Sequence, residues 1–203
     1  MLKLYYSRIP EELDEEMVPF FSEYRKNKLA QITSPKLRRQ SICAELLLER
    51  AVENFYKRPL PIVVGTNGKP RFEGDKLHFN ISHSANWVAC AVSNKEIGLD
   101  IQVISECNLA ICDRYFGEDE KNYILSSENR DLAFTEIWCK KEAKLKASGV
   151  GLKGGLAEFS VLEIETELFF TCIEDVCCTV CVPGLNDFKI EQEEIKQIGR
   201  AHV

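Results

Sequence analysis

The chain has 203 residues, of which 45% are hydrophobic and 29% charged, a composition typical of a folded globular protein and not of a disordered one. The net charge of −6 argues against general nucleic-acid binding, and neither a signal-peptide pattern nor an apolar run of membrane-spanning length is found. Nine cysteines in a chain without an export signal are expected to be reduced. These features predict a cytoplasmic protein with free thiols and no membrane or nucleic-acid partner.

The first third of the chain predicts one strand and two helices, followed by turns. Residues 2–9 resemble a strand, and the acidic and aromatic segment that follows is predicted helical, with a break near Pro19. A serine and a proline at 34 and 35 are typical of a helix start, and an amphipathic helix is predicted after them. Residues 58–76 are rich in proline and glycine and predict turns.

From Leu77 onward the hydrophobic period changes to two, which predicts strands. Short loops separate the first strand segments, so we predict an antiparallel meander of residues 77–82, 87–92 and 97–103. Helices are predicted next, ending in a long one that carries Glu142. Strands are expected again at 159–164, 167–173 and 177–184. This order of helices and strands predicts an α+β fold.

Glu142 occupies a position where the helical pattern would place an apolar residue. The apolar stripe runs through Phe134, Ile137 and Trp138 and resumes at Leu145. A carboxylate at a buried edge is costly unless it is paired, binds a metal or transfers a proton. Lys146 lies four residues further on, so both side chains are predicted on one helix face.

Asp100 and Gln102 alternate with apolar residues in the predicted strand over 97–103, so both project from one face. Such alternation alone is typical of any strand with one wet face. Together with Glu142, however, these side chains offer the oxygen donors that Mg²⁺ takes when phosphates and water complete its coordination.

His83 and Lys69 are candidates for binding a phosphate or a carbonyl oxygen, and an ordinary turn bonded to the backbone explains each of them equally well. Ser82 precedes His83, but adjacent residues on a strand point to opposite sides, which argues against a catalytic Ser–His pair. Two basic segments, residues 25–39 and 140–146, suggest a phosphate-bearing ligand or else solvated helix faces.

Two further patterns are weak. The glycine-rich segment 149–155 lacks the spacing of a phosphate-binding loop and is expected to be a helix end and a turn. Cys178 and Cys181 form a CxxC pattern, but strand alternation would point them to opposite faces, which argues against a zinc site.

Four motifs, taken together and in order, resemble those of the 4′-phosphopantetheinyl transferase superfamily. They are GKP at 68–70, FNISHS at 79–84, IGLDIQ at 97–102 and WCKKEAKLKASGVGL at 138–152. Their spacing is similar to that of the longer, single-chain type, which activates peptide and polyketide synthetases. The resemblance implies a pseudo-dimer of two similar α+β lobes, residues 1–96 and 97–203. Each lobe would be an antiparallel sheet packed with helices, with the active site in the cleft between them.

The resemblance also implies the reaction: phosphopantetheine moves from coenzyme A to a serine of an apo acyl or peptidyl carrier protein, and adenosine 3′,5′-bisphosphate is released. It makes Asp100, Gln102 and Glu142 ligands of Mg²⁺, with Mn²⁺ as an alternative ion. Glu142 would also be the base toward the carrier serine, and Lys146 would neutralise the reacting phosphate. The residues implied to bind coenzyme A are Lys69, Ser82, His83, Arg25, Lys28 and Ser41.

Gln102 departs from the family pattern, because many relatives carry an acid there, so metal binding is expected to depend more on the phosphates of coenzyme A. A monomer is implied, and we expect the carrier to dock on basic residues near Lys140 and Lys144. Two alternatives stay open: a catalytically degenerate coenzyme A binding regulator or scaffold, and an interaction protein whose charged segments are solvated faces.

Overall fold

The structure is a computed structural model that describes residues 2–53, 61–65, 67–74, 77–149, 155–186, 188–196 and 198. The chain divides into two compact units. One comprises the residues up to Lys95 together with those from Ile190 onward, and the other is Glu96–Lys189. The sequence instead predicts a second lobe that begins at residue 97 and runs to residue 203.

The described residues form five α-helices and nine β-strands. The helices are α1 (Glu23–Ala30), α2 (Pro35–Val52), α3 (Leu109–Tyr115), α4 (Glu118–Ser126) and α5 (Arg130–Ser148). The strands are β1 (Leu2–Arg8), β2 (Ile62–Val64), β3 (Pro70–Phe72), β4 (His78–Ser84), β5 (Trp87–Ser93), β6 (Gly98–Val103), β7 (Leu168–Ile173), β8 (Val176–Cys181) and β9 (Glu191–Glu194). The predicted α+β class is confirmed.

The first unit is built on a four-stranded sheet with the order β4-β5-β1-β9. Strand β5 is central and antiparallel to both neighbours, and every one of its residues is buried. The apolar side of α2 packs on this sheet, where Cys43, Leu47 and Ala51 join the same core as Val88 and Val92. Strands β2 and β3 form a separate hairpin. The pattern of α2 is as predicted, since Ser34 caps the helix and Pro35 begins it.

The acid-rich C-terminal segment forms the edge strand β9, which pairs in parallel with β1. All four of its residues are exposed, as is typical of a charged strand at a sheet edge. Strand β9 therefore belongs to the first unit, whereas the sequence predicts residues 97–203 as one lobe. The physical reason is that one edge of β1 needs backbone partners, and those partners come from the far end of the chain.

The second unit is built on an antiparallel sheet with the order β6-β8-β7. Strand β8 lies in the middle and is wholly buried, and α5 packs against this sheet. The predicted meander is wrong at β6, because β6 pairs with β8 and not with β5. Both edges of β5 are already taken, by β4 and β1.

Two predicted elements differ in extent. Residues 159–164, predicted as a strand, form turns instead. Residues Val18–Phe20 form only a short 3-10 helix, and α1 begins at Glu23 with Ser22 as its cap. Proline at position 19 explains the short helix, since proline fixes its own φ angle and lacks an amide donor. In the described part of the chain, no helix is long and apolar enough to cross a membrane.

Candidate active site

A close approach of α5 to β6 positions the polar residues of the second unit. A Cβ atom on Gly98 would lie 2.0 Å from the carbonyl oxygen of Ala143 and 2.3 Å from the amide nitrogen of Ala147. These atoms are backbone and cannot turn away, so glycine at 98 allows the helix to lie directly on the strand. Ala143 and Ala147 are themselves small and buried. The face of β6 that carries Asp100 therefore lies against α5.

Lys146 on α5 binds Asp100 on β6. The lysine Nζ donates a hydrogen bond of 2.5 Å to Oδ1 of the aspartate. The Asp100 side chain is 7% exposed and that of Lys146 is 30% exposed. A charge-assisted bond at a partly buried position is stronger than one on the open surface. The backbone carbonyl of Asp100 also accepts a hydrogen bond from the Sγ of Cys139, which further joins the strand to the helix.

Glu142 lies one helical turn before Lys146 and is half-buried. Its pKa is raised above the usual value, chiefly by burial and in addition by the charge of Asp100, while Lys146 opposes the rise. Two carboxylates therefore interact with each other and with one ammonium group. Gln102 lies two residues after Asp100 on the same face of β6, is also half-buried, and is opposite Cys177 on β8.

A cavity of about 360 Å³ lies beside Glu142 in the second unit. Two aromatic residues, Tyr115 and Trp138, line it, and their rings pack edge to face with 6.1 Å between the ring centroids. The other lining residues are Arg114, Gly155, Leu156 and Ala157. A carboxylate at the wall of a largely apolar cavity can reach a bound group while it stays shielded from bulk water.

The first unit contains a second cavity, of about 450 Å³. Four of the residues implied to bind coenzyme A line it, namely Arg25, Lys28, Ser41 and His83. Gly68 and Pro70, which flank Lys69, also line it. Lys69 and Ser82 are not among the described residues at this cavity; Lys69 lies in the turn between β2 and β3, and the side chain of Ser82 is buried in β4.

Arg25 is held inside the first unit by Glu45, a residue that the sequence reading missed. The guanidinium Nε lies 2.9 Å from Oε2 of Glu45, and Nη1 donates a 3.1 Å hydrogen bond to Oγ of Ser41. Both charged side chains are nearly inaccessible, at 4% and 3% exposure. A glutamate on the buried side of an amphipathic helix is the same sequence signal that indicates Glu142. The sequence of α2 carries this signal at Glu45.

Lys28 differs from Arg25, because no ion pair to it is found in the part of the chain that the structure describes. Its pKa is lowered by burial first and by the positive charge of Arg25 second. A ligand phosphate would oppose both effects. Of Arg25 and Lys28, Lys28 is therefore the better candidate for direct contact with an anion.

The family model of the 4′-phosphopantetheinyl transferase superfamily matches residues 96–180, the segment that carries Asp100, Glu142 and Lys146. The 4′-phosphopantetheinyl transferase gsp of Aneurinibacillus migulanus is 30% identical over 176 residues, which cover 82% of this chain and 74% of that relative. The chain belongs to this superfamily. The family that the four motifs predicted is thereby confirmed.

Other relatives of the superfamily give similar matches. The 4′-phosphopantetheinyl transferase psf-1 of Bacillus pumilus is 32% identical over 72% of this chain, and the match covers 65% of that relative. The 4′-phosphopantetheinyl transferase Sfp of Bacillus subtilis (strain 168) is 28% identical over 75% of this chain and 71% of its own length. The matches thus span between about two thirds and three quarters of the length of these relatives.

The residues around Asp100 fit the magnesium ion that membership of this superfamily implies. They offer two carboxylates and an amide oxygen, which are hard donors of the kind Mg²⁺ prefers. The mutual repulsion of Asp100 and Glu142 is the interaction that a cation would relieve. No group of three His, Cys, Asp or Glu side chains that could hold a metal occurs among the residues described, so substrate or water oxygens would complete the coordination.

Lys140 and Lys144, near which carrier docking is predicted, are both paired with carboxylates. Lys140 is 3% exposed, and its Nζ lies 2.6 Å from Glu136 Oε1. Lys144 donates a 2.6 Å hydrogen bond to Glu167. Both positive charges are neutralised by carboxylates of the same unit, and the acid partner of Lys144 lies far from it in the sequence.

Proposed function

We propose that the protein transfers 4′-phosphopantetheine from coenzyme A to a serine hydroxyl of an apo carrier protein in a Mg²⁺-dependent reaction. The observation that carries the proposal is the group formed by Asp100 on β6 with Glu142 and Lys146 on α5. It combines a carboxylate base, a cation and a metal-ligating carboxylate in a motif that the superfamily shares. A protein that only bound coenzyme A would not need the base.

In this proposal the serine oxygen forms a bond to the phosphorus that carries pantetheine, and the pyrophosphate bond to adenosine 3′,5′-bisphosphate breaks. Glu142 accepts the proton of the serine hydroxyl, directly or through a water molecule. Lys146 stabilises the negative charge that gathers on the reacting phosphate. Asp100 holds Lys146 in place through its 2.5 Å hydrogen bond.

Asp100, Gln102 and Glu142 would hold the metal ion. When bound, Mg²⁺ would supply positive charge next to the phosphate oxygens and so lower the barrier to attack of the serine oxygen on phosphorus. Mn²⁺, which has a similar preference for oxygen donors, would serve as an alternative. Because Gln102 contributes an oxygen but no charge, we expect part of the metal's affinity to come from the phosphates of coenzyme A.

The phosphates of coenzyme A are proposed to bind in the cavity of the first unit. Lys28 and His83 are two of the donors that line it, and Ser41 adds a hydroxyl group. Arg25 contributes positive charge and orients Ser41, while its own charge is shared with Glu45. Lys69 and Ser82 remain proposed contacts on the basis of the family resemblance.

The proposal is tested by intact-protein mass spectrometry. A panel of apo carrier proteins from fatty acid, polyketide and peptide synthesis is incubated with the protein, coenzyme A and Mg²⁺, with EDTA as control. We expect a gain of one phosphopantetheine on at least one carrier, and no gain with EDTA. Coenzyme A that binds without modifying any carrier would favour the non-catalytic regulator or scaffold, and absence of binding by calorimetry would favour the interaction protein.

The proposal includes a monomeric protein that acts in the cytoplasm, as the family resemblance implies. Carrier proteins are usually acidic, and this chain is acidic too, so docking is expected to use a local basic or apolar surface. Lys140 and Lys144 are weaker candidates for this surface than their sequence suggests, because carboxylates neutralise both charges.

A further inference from the structure

Lys141, which directly precedes Glu142, is fully buried in the second unit. Its Nζ donates hydrogen bonds of 2.7 Å to the carbonyl of Leu156 and 2.6 Å to the carbonyl of Phe159. It also lies 2.9 Å from Oε2 of Glu120 on α4. An ammonium group has three N–H donors, so these contacts satisfy all of them.

Glu120 is equally buried and makes the complementary contacts. Its Oε2 accepts a 2.9 Å hydrogen bond from the backbone amide of Gly117, and its Oε1 accepts one of 2.8 Å from the amide of Val161. The lysine and the glutamate therefore bind four backbone groups, three of which belong to residues 156–161. This segment has only a short 3-10 helix, Leu156–Glu158, so its buried polar groups need side-chain partners.

The same segment forms one wall of the Glu142 cavity. Gly155, Leu156 and Ala157 line it together with Tyr115 and Trp138. Lys141 fixes the carbonyl of Leu156 and, with Glu120, the chain that follows. The position of this wall relative to α5, and hence to Glu142, is thus set by the buried ion pair.

We propose that Lys141 and Glu120 are positioning residues of the transfer reaction, which hold residues 155–161 as the wall against which the substrate meets the Glu142 carboxylate. The inference rests on the proposed function. Replacing a buried ion pair by an apolar pair of similar volume often leaves stability intact where no other polar group depends on the pair. Here an apolar pair could not bind the backbone groups of the wall, so the charged pair both stabilises this segment and fixes its geometry.

The test uses the double variant Lys141→Met/Glu120→Leu, which removes both charges and so leaves no unpaired buried ion. The matched control is Lys140→Met/Glu136→Leu, which removes another buried lysine–glutamate pair from α5 without touching residues 155–161. Turnover of the carrier protein is measured at saturating coenzyme A and Mg²⁺, and acrylamide quenching of tryptophan fluorescence is measured without substrate. Trp138 lines the cavity, whereas Trp87 is fully buried in the first unit, so a change in quenching reports Trp138.

We expect kcat of the double variant to fall by about tenfold to a hundredfold, because a small displacement of the cavity wall misaligns the substrate with Glu142. The KM for coenzyme A should be unchanged. Quenching of Trp138 should rise, and the control should resemble wild type in both measurements. A folded double variant with wild-type kcat and quenching would overturn the proposal, as would an equal loss in the control.

Two further outcomes remain decisive. If circular dichroism shows that the double variant is unfolded, Glu120→Gln takes its place, because it keeps the size and one acceptor oxygen, and a wild-type kcat in that variant would overturn the proposal. If wild type transfers nothing to any carrier, the proposed function fails. The quenching of Trp138 then decides by itself whether the ion pair positions the wall.

Discussion

The helices α2 and α5 each lie on the sheet of their own unit and each carry buried charge, but the charges are balanced differently. On α2, the carboxylate of Glu45 is bonded directly to the guanidinium of Arg25 at 2.9 Å, although the half-buried Glu49 lies close enough to repel it. On α5, Glu142 shares one ammonium, that of Lys146, with a second carboxylate, Asp100. A buried ion pair whose charges cancel can have a purely structural role. A buried group with excess negative charge is stabilised by binding a cation or a proton. The comparison indicates that a buried carboxylate bonded directly to its own cation, such as Glu45, can be structural, whereas one that shares its cation with a second carboxylate, such as Glu142, is the better candidate for a reactive group.

Lys141 and Glu120 form another directly bonded ion pair, comparable to Arg25 and Glu45. Lys141 nevertheless lies next to Glu142 in sequence. Every donor and acceptor that the pair offers is used by a backbone group or by the partner. Neighbouring residues of one motif therefore have opposite roles, because successive helix positions point about 100° apart.

Replacing the reactive carboxylate should have the largest effect on activity. Glu142→Gln keeps the shape of the side chain but removes the base, so carrier modification should fall by about 10²-fold or more, with coenzyme A binding retained. Mass spectrometry of the carrier and calorimetry with coenzyme A measure the two effects. Glu136→Gln, on the same helix and paired with Lys140, is the control. If Glu142→Gln keeps activity within a fewfold of wild type, Glu142 is not the base, and the proposed difference between a reactive α5 and a structural α2 is contradicted.

Breaking the balanced pair on α2 should affect stability instead. Arg25→Met leaves the Glu45 carboxylate buried and unpaired, and we expect a loss of about 3–5 kcal/mol in the free energy of unfolding. Urea denaturation measures the loss. The double variant Arg25→Met/Glu45→Leu should recover most of it. A loss of only about 1 kcal/mol, the size expected of an exposed pair, would contradict a structural role for the pair.

Gln102→Ala tests how much the neutral position contributes to the metal site. We expect the apparent affinity for Mg²⁺ to fall while turnover at saturating Mg²⁺ changes by less than about tenfold, since the amide adds an oxygen but no charge. The measurement is carrier modification as a function of Mg²⁺ concentration. A larger loss of turnover at saturating metal would place Gln102 in the chemical step itself.

The smallest expected effect concerns Glu49 on α2, whose pKa is raised to about 7 by burial and by the nearby Glu45. In the folded protein Glu49 keeps its proton up to about pH 7, whereas the unfolded chain loses it at the usual, lower pKa. Its contribution to stability is therefore full below the unfolded pKa and is lost as pH rises through 7. Glu49→Gln should have a higher Tm than wild type at pH 8 and a smaller difference at pH 5. Equal differences at both pH values would show that Glu49 is not buried enough to matter.

The sequence by itself determined the features that depend on local order. Ser34 and Pro35 correctly predicted the start of α2, and the change of hydrophobic period at Leu77 correctly predicted that strands begin there. The order of four motifs identified the family, and helical spacing placed Glu142 one turn from Lys146. Each of these features depends on residues close together in the sequence. It can therefore be predicted without knowing which distant residues pack against it.

Only the tertiary structure decided the partners. It paired β6 with β8 and brought β9 to β1, and it gave Lys140 and Lys144 the acid neighbours that neutralise their charges. It also showed that Glu45 balances Arg25 and that Glu120 balances Lys141. A residue pattern specifies which face a side chain occupies, but strand pairing and charge balance depend on residues distant in sequence that become neighbours only when the chain folds.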